Sequence, residues 1–375
     1  MNNIDPFIVT VMREASMKWK HIQEYLNVSK ATLYRWRISI GFEDPLNNID
    51  DDDLDVILHH YASENWRNGE RMTVGHLRGV GVNVSRDRVR LSLERVDPAG
   101  RELRKVKRIE RRNYVSEGPL HVFHVDGNHK LIKFKMVILA GIDGFSRAIV
   151  YAGCVPNNKA STHFALFKEA VVQYGLPSRV RGDRGGENIT IAQYMVEQRG
   201  LDRGSYVAGS SKHNTRIERL WRDIKEKVIL PVKEILEVLV LYGVLDCENA
   251  VHIFVVHYCF LDRINASLQS FVSDWNHHPV RTEHNNSPLQ LLYMHQHNFP
   301  PPPDVVEDAD EEEEDGDDED PEGVPVEPVE CPLNQQQMNV LLYHAPQFTL
   351  ADALHTQIPK FVHTLNVVNF LLQQN

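Results

Sequence analysis

The sequence predicts an α/β protein in which a mixed sheet with flanking helices is preceded by all-α helix-turn-helix units. Three observations carry that expectation. From Leu120 onward, apolar runs of strand length meander and then alternate with segments of helical periodicity. Upstream, a helix, a break and a second helix studded with basic residues occur twice in series. Charge is also segregated along the chain: net charge is −11, yet 304–330 holds sixteen Asp and Glu and no Lys or Arg, leaving +5 on the rest. A mildly basic body with an acidic appendage is compatible with a nucleic-acid partner, which the overall charge alone would disfavour.

The first helical unit spans 1–45. Trp19, Ile22 and Leu26 share one helical face, Asn27 and Val28 break it, and Ser29 caps a second helix through Leu33, Trp36 and Ile40. Lys30, Arg35 and Arg37 on that second helix are candidate DNA contacts. The second unit and its basic linker span 50–113. Val74 and Leu77 start a helix, Gly79-Val80-Gly81 ends it, and Ser85 caps the next through Val89 and Leu93, with Arg86, Arg88 and Arg90 as candidate DNA contacts. For either unit alone, a helical hairpin with a solvated basic face competes evenly with DNA binding. Two in series favour DNA. The basic run Arg104–Arg112 either tracks phosphates, serves as a nuclear address, or is a solvated tether.

The α/β region, placed at 115–298, reads as strands His121–Val125, Phe134–Ile142 and Ala148–Val155, then a helix over Thr162–Tyr174. A short strand Arg179–Arg181 leads into a Gly-rich loop, a helix follows at Ile189–Gln198, and 216–230 and 250–275 are helical. Val228–Val244 is apolar but interrupted by Pro231, Lys233, Glu234 and Glu237, so it is a core helix rather than a membrane span. The segment 300–333 is expected to be a disordered acidic linker, because charge repulsion and scarce apolar residues leave no core to form. Residues 334–375 regain apolar content as one or two helices of unreadable role. Cys154, Cys247, Cys259 and Cys331 form no CxxC pair, and the first residues form no signal peptide, so a reducing compartment, cytosol or nucleus, is expected.

Three acids stand in telling contexts. Asp126 follows the run His121-Val122-Phe123-His124-Val125, Asp183 follows Val180-Arg181-Gly182, and Glu218 opens a helix. A strand Asp, a loop Asp and a helix Glu can converge at one sheet edge, where their mutual repulsion is relieved by hard divalent cations such as Mg²⁺ or Mn²⁺. Taken singly, each is more often a solvated acid. His124 reads as strand packing, His129 as a DNA contact, Glu187 as a helix-start acid, Trp221 as core, and His277-His278 as structural for want of partner cysteines.

His124-Val125-Asp126-Gly127, Gly182-Asp183-Arg184-Gly185-Gly186-Glu187-Asn188 and His213-Asn214-Thr215-Arg216-Ile217-Glu218-Arg219 resemble the three blocks of a retroviral-integrase-like DDE core. The resemblance is closest to the integrase core domains of animal transposable elements. It extends to Ile142–Arg147, Trp275–Pro279, Thr282 and Ser287–Gln290, and the 34 residues between Asp183 and Glu218 fit the family's spacing. The resemblance implies an RNase H-like fold and metal-dependent DNA nicking and strand transfer. It also implies two Mg²⁺ or Mn²⁺ ions on Asp126, Asp183 and Glu218, with Asn214 and Arg216 beside DNA, and a nuclear homo-oligomer on double-stranded DNA. The His/Cys zinc module of many retroviral relatives is absent, and Thr215 replaces an expected Gln. The alternatives are a domesticated, non-catalytic DNA-binding regulator using its helix-turn-helix units and, less favoured, an RNase H-like nuclease.

Overall fold

Helices in the N-terminal region begin where a short polar side chain can take a backbone N–H. In the computed structural model, Asp5 caps α1 (Pro6–Glu14), Ser29 caps α3 (Lys30–Ser39), Asp50 caps α4 (Asp51–Glu64) and Ser85 caps α6 (Arg86–Val96). Such caps contribute about 1 kcal/mol each. α2 (Trp19–Tyr25) and α5 (Glu70–Gly79) lack a side-chain cap and rely on packing. Each unit holds three helices; the sequence pattern marks two in the first, and in the second two preceded by a helix start within 44–55. The added α1 starts at Pro6, whose fixed φ suits a first turn, and buries Val9 and Met12. Val9, Met12, Met17, Ile22 and Leu33 form one small core, and Leu54, Leu58, Val74, Leu77, Val89 and Leu93 form another.

The structure describes residues 4–44, 49–65, 68–98, 116–183, 185–200, 203–208, 214–295 and 326–374. The basic run Arg104–Arg112, Arg184, His213 and most of the acidic segment lie outside them. Contacts divide the chain into two units: Met1–His121 with Asp143–Ile149 and Val272–Pro301, and Val122–Ile142 with Val150–Phe271 and Pro302–Asn375.

A five-stranded sheet runs in the order β3-β2-β1-β4-β5. Its strands are β1 (Val122–Asn128), β2 (Val137–Asp143), β3 (Ile149–Val155), β4 (Arg179–Gly182) and β5 (Tyr206–Ala208). β4 pairs parallel with both β1 and β5, registering Val122 on Arg179 and Gly182 on Ala208. β2 and β3 are joined by a tight turn in which buried Asp143 accepts from Ser146 N at 2.8 Å and Ser146 Oγ at 2.7 Å. This is the sheet with flanking helices that the sequence leads one to expect.

Three details differ from the sequence reading. β2 starts at Val137, not Phe134, because Ile132–Phe134 forms a 3₁₀ turn and Lys135 adopts a left-handed φ of 53°. β1 runs on to Asn128, so Asp126 lies inside the strand rather than at its end. β5, three residues in a polar stretch, carries too little pattern to be read.

The helices are α7 (Ala160–Tyr174), α8 (Ile189–Arg199), α9 (Thr215–Ile224), α10 (Leu230–Leu241), α11 (Ala250–His277), α12 (Pro288–His295), α13 (Gln335–His344) and α14 (Leu354–Gln373). A π turn, Lys225–Ile229, joins α9 to α10. Pro231 cannot donate to the Lys227 carbonyl and crowds it, and the wider turn accommodates both. Asn265 of α11 pairs with the edge strand β3 as a neighbouring strand would, donating to Cys154 O at 3.0 Å and accepting from Cys154 N at 2.7 Å. The C-terminal helices belong to the core of the second unit. Tyr258 Oη donates to Ala345 O at 2.8 Å, and Phe260 packs on Phe348 and Phe361 at ring-centroid distances of 5.0 and 6.3 Å. Val326, inside the segment expected to be disordered, is buried against Val137 and Leu139 because an apolar side chain there finds an apolar face. Among the described residues, no helix is long and apolar enough to cross a membrane.

Candidate active site

The parallel pairing of β1 with β4 brings two acids to neighbouring strands, and α9 supplies the third. Asp126, 8% exposed, accepts a hydrogen bond from the buried Trp221 indole, Nε1 to Oδ2, at 2.6 Å. Trp221 is thus core, as its position on α9 suggests, and it also holds Asp126. Burial pushes the Asp126 carboxyl well above the usual carboxylate range. The Trp221 hydrogen bond opposes that shift, and the negative charges of Asp183 and Glu218 reinforce it. Asp126 therefore feels both other acids of the expected triad.

Asp183 follows β4. Its Oδ1 accepts from Asn188 Nδ2 at 2.6 Å and from Gly185 N at 3.0 Å. Tyr206 of β5 donates its hydroxyl to Asp183 O at 3.1 Å, which is possible only because residue 182 is glycine: a Cβ there would stand 2.5 Å from Tyr206 Oη. Burial raises the Tyr206 pKa, and the charges of Asp183, Glu187 and Asp126 add to the shift. Glu187, 8% exposed, is a fourth acid of the group. A Cβ at Gly185 would lie 2.8 Å from its Oε2, and one at Gly127 would lie 3.1 Å from Oε1. It also sits 3.9 Å from His129, so this Glu is more enclosed than a helix-start acid on a surface.

Glu218 is exposed in the first turn of α9, where the helix dipole favours an anion. Asn214 fixes that turn to β1. Its Nδ2 donates to Val125 O at 3.1 Å, and its Oδ1 pairs with His124 Nδ1 at 2.5 Å, so His124 carries its proton on Nδ1. Burial, together with the nearby Arg181 and Arg216 charges, lowers the His124 pKa to about 4. Asn214 is 3% exposed and spends its amide inside the fold. Arg216 is half-buried near His124.

In kind, this donor set suits a hard divalent cation: only carboxylate oxygens, one of them buried and destabilised by its acidic neighbours. In closure it is open. Among the described residues, no group of three or more His, Cys, Asp or Glu is gathered tightly enough to hold a metal ion. His277 and His278 instead meet the carbonyls of Ser273 and Trp275.

The expected DNA contacts fall into two groups. Lys30 and Arg35 on α3 are exposed, beside Tyr34 at 62% exposure. Arg37 stacks over the Trp19 ring at 3.9 Å. On α6 every arginine is engaged. Arg86 pairs with Glu70, and Arg88 with Asp51 at 2.6 Å. Arg90 pairs with Asp87 at 3.1 Å and Glu70 at 3.4 Å, and Arg95 with Asp55 at 2.6 Å. Sequence reasoning missed Asn188, Tyr206 and the α6 counter-charges. Only Asn188, in the same Gly-rich block as Asp183, stood where a signal was available.

Residues 113–298 match a family model described as Integrase core domain. Similar solved structures include two viral integrases. The integrase catalytic core domain of HTLV-2, in complex with magnesium in a trimeric form, is 15% identical over 47% of this chain and 99% of that chain, with a TM-score of 0.31. A simian T-cell lymphotropic virus intasome in complex with PP2A regulatory subunit B56 gamma is 14% identical over 67% of this chain and 76% of that chain, with a TM-score of 0.35. No curated protein matches.

Proposed function

We propose that the integrase core domain matched over residues 113–298 works here as a divalent-metal-dependent polynucleotidyl transferase that nicks double-stranded DNA and transfers strands. The observation that carries this reading is the register of β1 on β4: His124 lies opposite Arg181, so two residues further on the buried Asp126 falls beside the buried Asp183. Asp126, Asp183 and Glu218 would hold Mg²⁺ or Mn²⁺. A pair of such ions activates an attacking water or 3′-hydroxyl and stabilises the leaving oxygen of an in-line displacement. Trp221 orients Asp126, Asn188 and Gly185 orient Asp183, and Asn214 anchors the turn that carries Glu218.

Residues 1–45 and 50–113 are proposed as duplex-reading units and 115–298 as the catalytic core, with 300–333 a linker and 334–375 an extension of that core. Lys30 and Arg35 are the side chains best placed to meet phosphates, since both are exposed and neither has an ion-pair partner among the described residues. A nuclear homo-oligomer assembled on DNA, of transposable-element descent, is the setting in which we read this activity.

The test is oligonucleotide nicking and joining by purified protein with Mg²⁺ or Mn²⁺. Wild type should be active, and Asp126→Asn and Asp183→Asn should fall to background, because Asn keeps the shape and loses the charge. Equal activity in all three would remove the assignment. Salt-sensitive DNA binding without metal-dependent turnover would favour the non-catalytic regulator.

A further inference from the structure

The Asp183 carboxylate is the end of a buried chain of side chains that starts on the far strand of the sheet. Tyr151, on β3, places Oη 2.7 Å from His163 Nε2 on α7, the rings meeting edge-on at 5.7 Å between centroids. Asn188, at the other end, donates Nδ2 to Asp183 Oδ1 at 2.6 Å. Between the two, the Asn188 side chain stands near enough to His163 to act on its ring. His163 Nδ1 and Asn188 Oδ1 are each buried without a hydrogen-bond partner, one able to donate and the other to accept. Exposures along the chain are 8% for Tyr151, 0% for His163, 2% for Asn188 and 9% for Asp183.

One proton arrangement satisfies every member once His163 Nδ1 and Asn188 Oδ1 pair. A carboxylate only accepts, so Asn188 must turn its NH₂ toward Asp183 and its carbonyl toward His163. That carbonyl only accepts, so His163 carries its proton on Nδ1. Nε2 is then bare and accepts the Tyr151 hydroxyl. Reversing the Asn188 amide would set its carbonyl against the Asp183 carboxylate, a repulsive contact between two acceptors. Burial keeps His163 neutral, with a pKa lowered to about 4, as the arrangement requires.

We propose that Asn188 is a positioning residue for Asp183, with its own orientation locked by His163 and Tyr151. It pins Oδ1, together with Gly185 N, and leaves Oδ2 as the oxygen for a divalent cation. This rests on the reading of Asp183 as a metal ligand. A purely structural role for the chain would cost stability and leave metal affinity alone. The positioning role predicts the reverse emphasis, since partners behind a metal ligand typically change affinity by about 10- to 100-fold.

The experiment measures Mn²⁺ binding to the full chain by loss of the free-ion EPR signal, without DNA, alongside thermal unfolding of the metal-free protein. Asn188→Leu matches the volume and removes the donor; it should bind Mn²⁺ at least about tenfold more weakly than wild type. Tyr151→Phe, which loses only a hydroxyl, should weaken binding severalfold, and the double variant should be no worse than Asn188→Leu, because the tyrosine acts through the amide. Should Asn188→Leu fail to fold, Tyr151→Phe decides alone: a severalfold loss supports positioning and unchanged affinity overturns it. If Asn188→Leu binds Mn²⁺ like wild type while Asp183→Asn loses it, the positioning role falls and the metal site stands. If Asp183→Asn also binds like wild type, the functional reading fails and takes the inference with it.

Discussion

The acids around Asp126 and the arginines along α6 look alike in the sequence and behave oppositely in the fold. Both are groups of like charge, spaced so that they gather on one side of an element. Along α6 each arginine meets a carboxylate from α4, from α5 or from its own helix: Asp51, Asp55, Glu70 or Asp87. Around Asp126 the neighbouring charges that act on it are acidic, and burial adds to their effect. Charge matched within the chain serves the fold. Like charges that the chain drives together around a buried carboxyl cost stability, and the proposed cation would relieve that cost.

The largest expected effect comes from the acidic side. Asp126→Asn should reduce nicking and joining by about three orders of magnitude or more, since an essential metal ligand is lost. It should also raise metal-free stability, because the amide cannot ionise beside the other acids while the Trp221 indole keeps an oxygen acceptor. Activity assay and thermal unfolding read the two together. A variant both inactive and less stable would break the contrast, making Asp126 an ordinary structural acid.

A second prediction concerns a group the fold keeps uncharged. His163 has its pKa lowered to about 4 by burial, against about 6.5 when unfolded. Because the unfolded chain takes up this proton first, stability should be full above pH 6.5 and decline as pH falls toward 4. The total from this residue is about 3 kcal/mol. Unfolding midpoints of wild type and His163→Gln across that range measure it; parallel pH dependences would show that His163 is not held neutral.

On the compensated side the effects are smaller. Glu70→Gln removes the partner shared by Arg86 and Arg90. Exposed ion pairs contribute at most about 1 kcal/mol, so the melting temperature should fall by only a few degrees. The freed arginines should then strengthen nonspecific DNA binding at low salt. Unchanged DNA affinity in a folded Glu70→Gln variant would mean that α6 faces no phosphate in either state.

How much of this was legible in the sequence follows from the range of each interaction. The three acids could be singled out as a candidate triad because they sit in short blocks with their own local signatures. The sheet was readable from apolar runs, save for three-residue β5 and the 3₁₀ turn before β2. What holds the acids was not. Asn214 reaches His124 across 90 positions and Trp221 reaches Asp126 across 95, and only the register of strands against α9 creates those pairs. The pairing of Arg95 with Asp55, 40 positions apart, is equally silent in sequence, so α6 read as a bare basic helix. Local pattern reports which side chains a helix presents and says nothing of which of them the fold has already neutralised.

The subtlest test compares the two basic helices directly. Lys30 and Arg35 on α3 are exposed and free of ion pairs among the described residues, whereas the α6 arginines begin already paired. A side chain that neutralises a phosphate releases a counterion, so its loss lowers the slope of log affinity against log salt by about 0.9. A side chain that must first leave a carboxylate gains little from the exchange and contributes little slope. Lys30→Ala with Arg35→Ala should therefore flatten the slope by about 1.8 without moving the melting temperature. Arg86→Ala with Arg88→Ala should leave the slope nearly intact and lower the melting temperature instead. Fluorescence anisotropy on one duplex over a salt series, paired with thermal unfolding, separates the four outcomes. Should the α6 pair carry the slope, the acids of α4 and α5 are displaced on binding, and matching within the chain would mark a switch rather than a settled part of the fold.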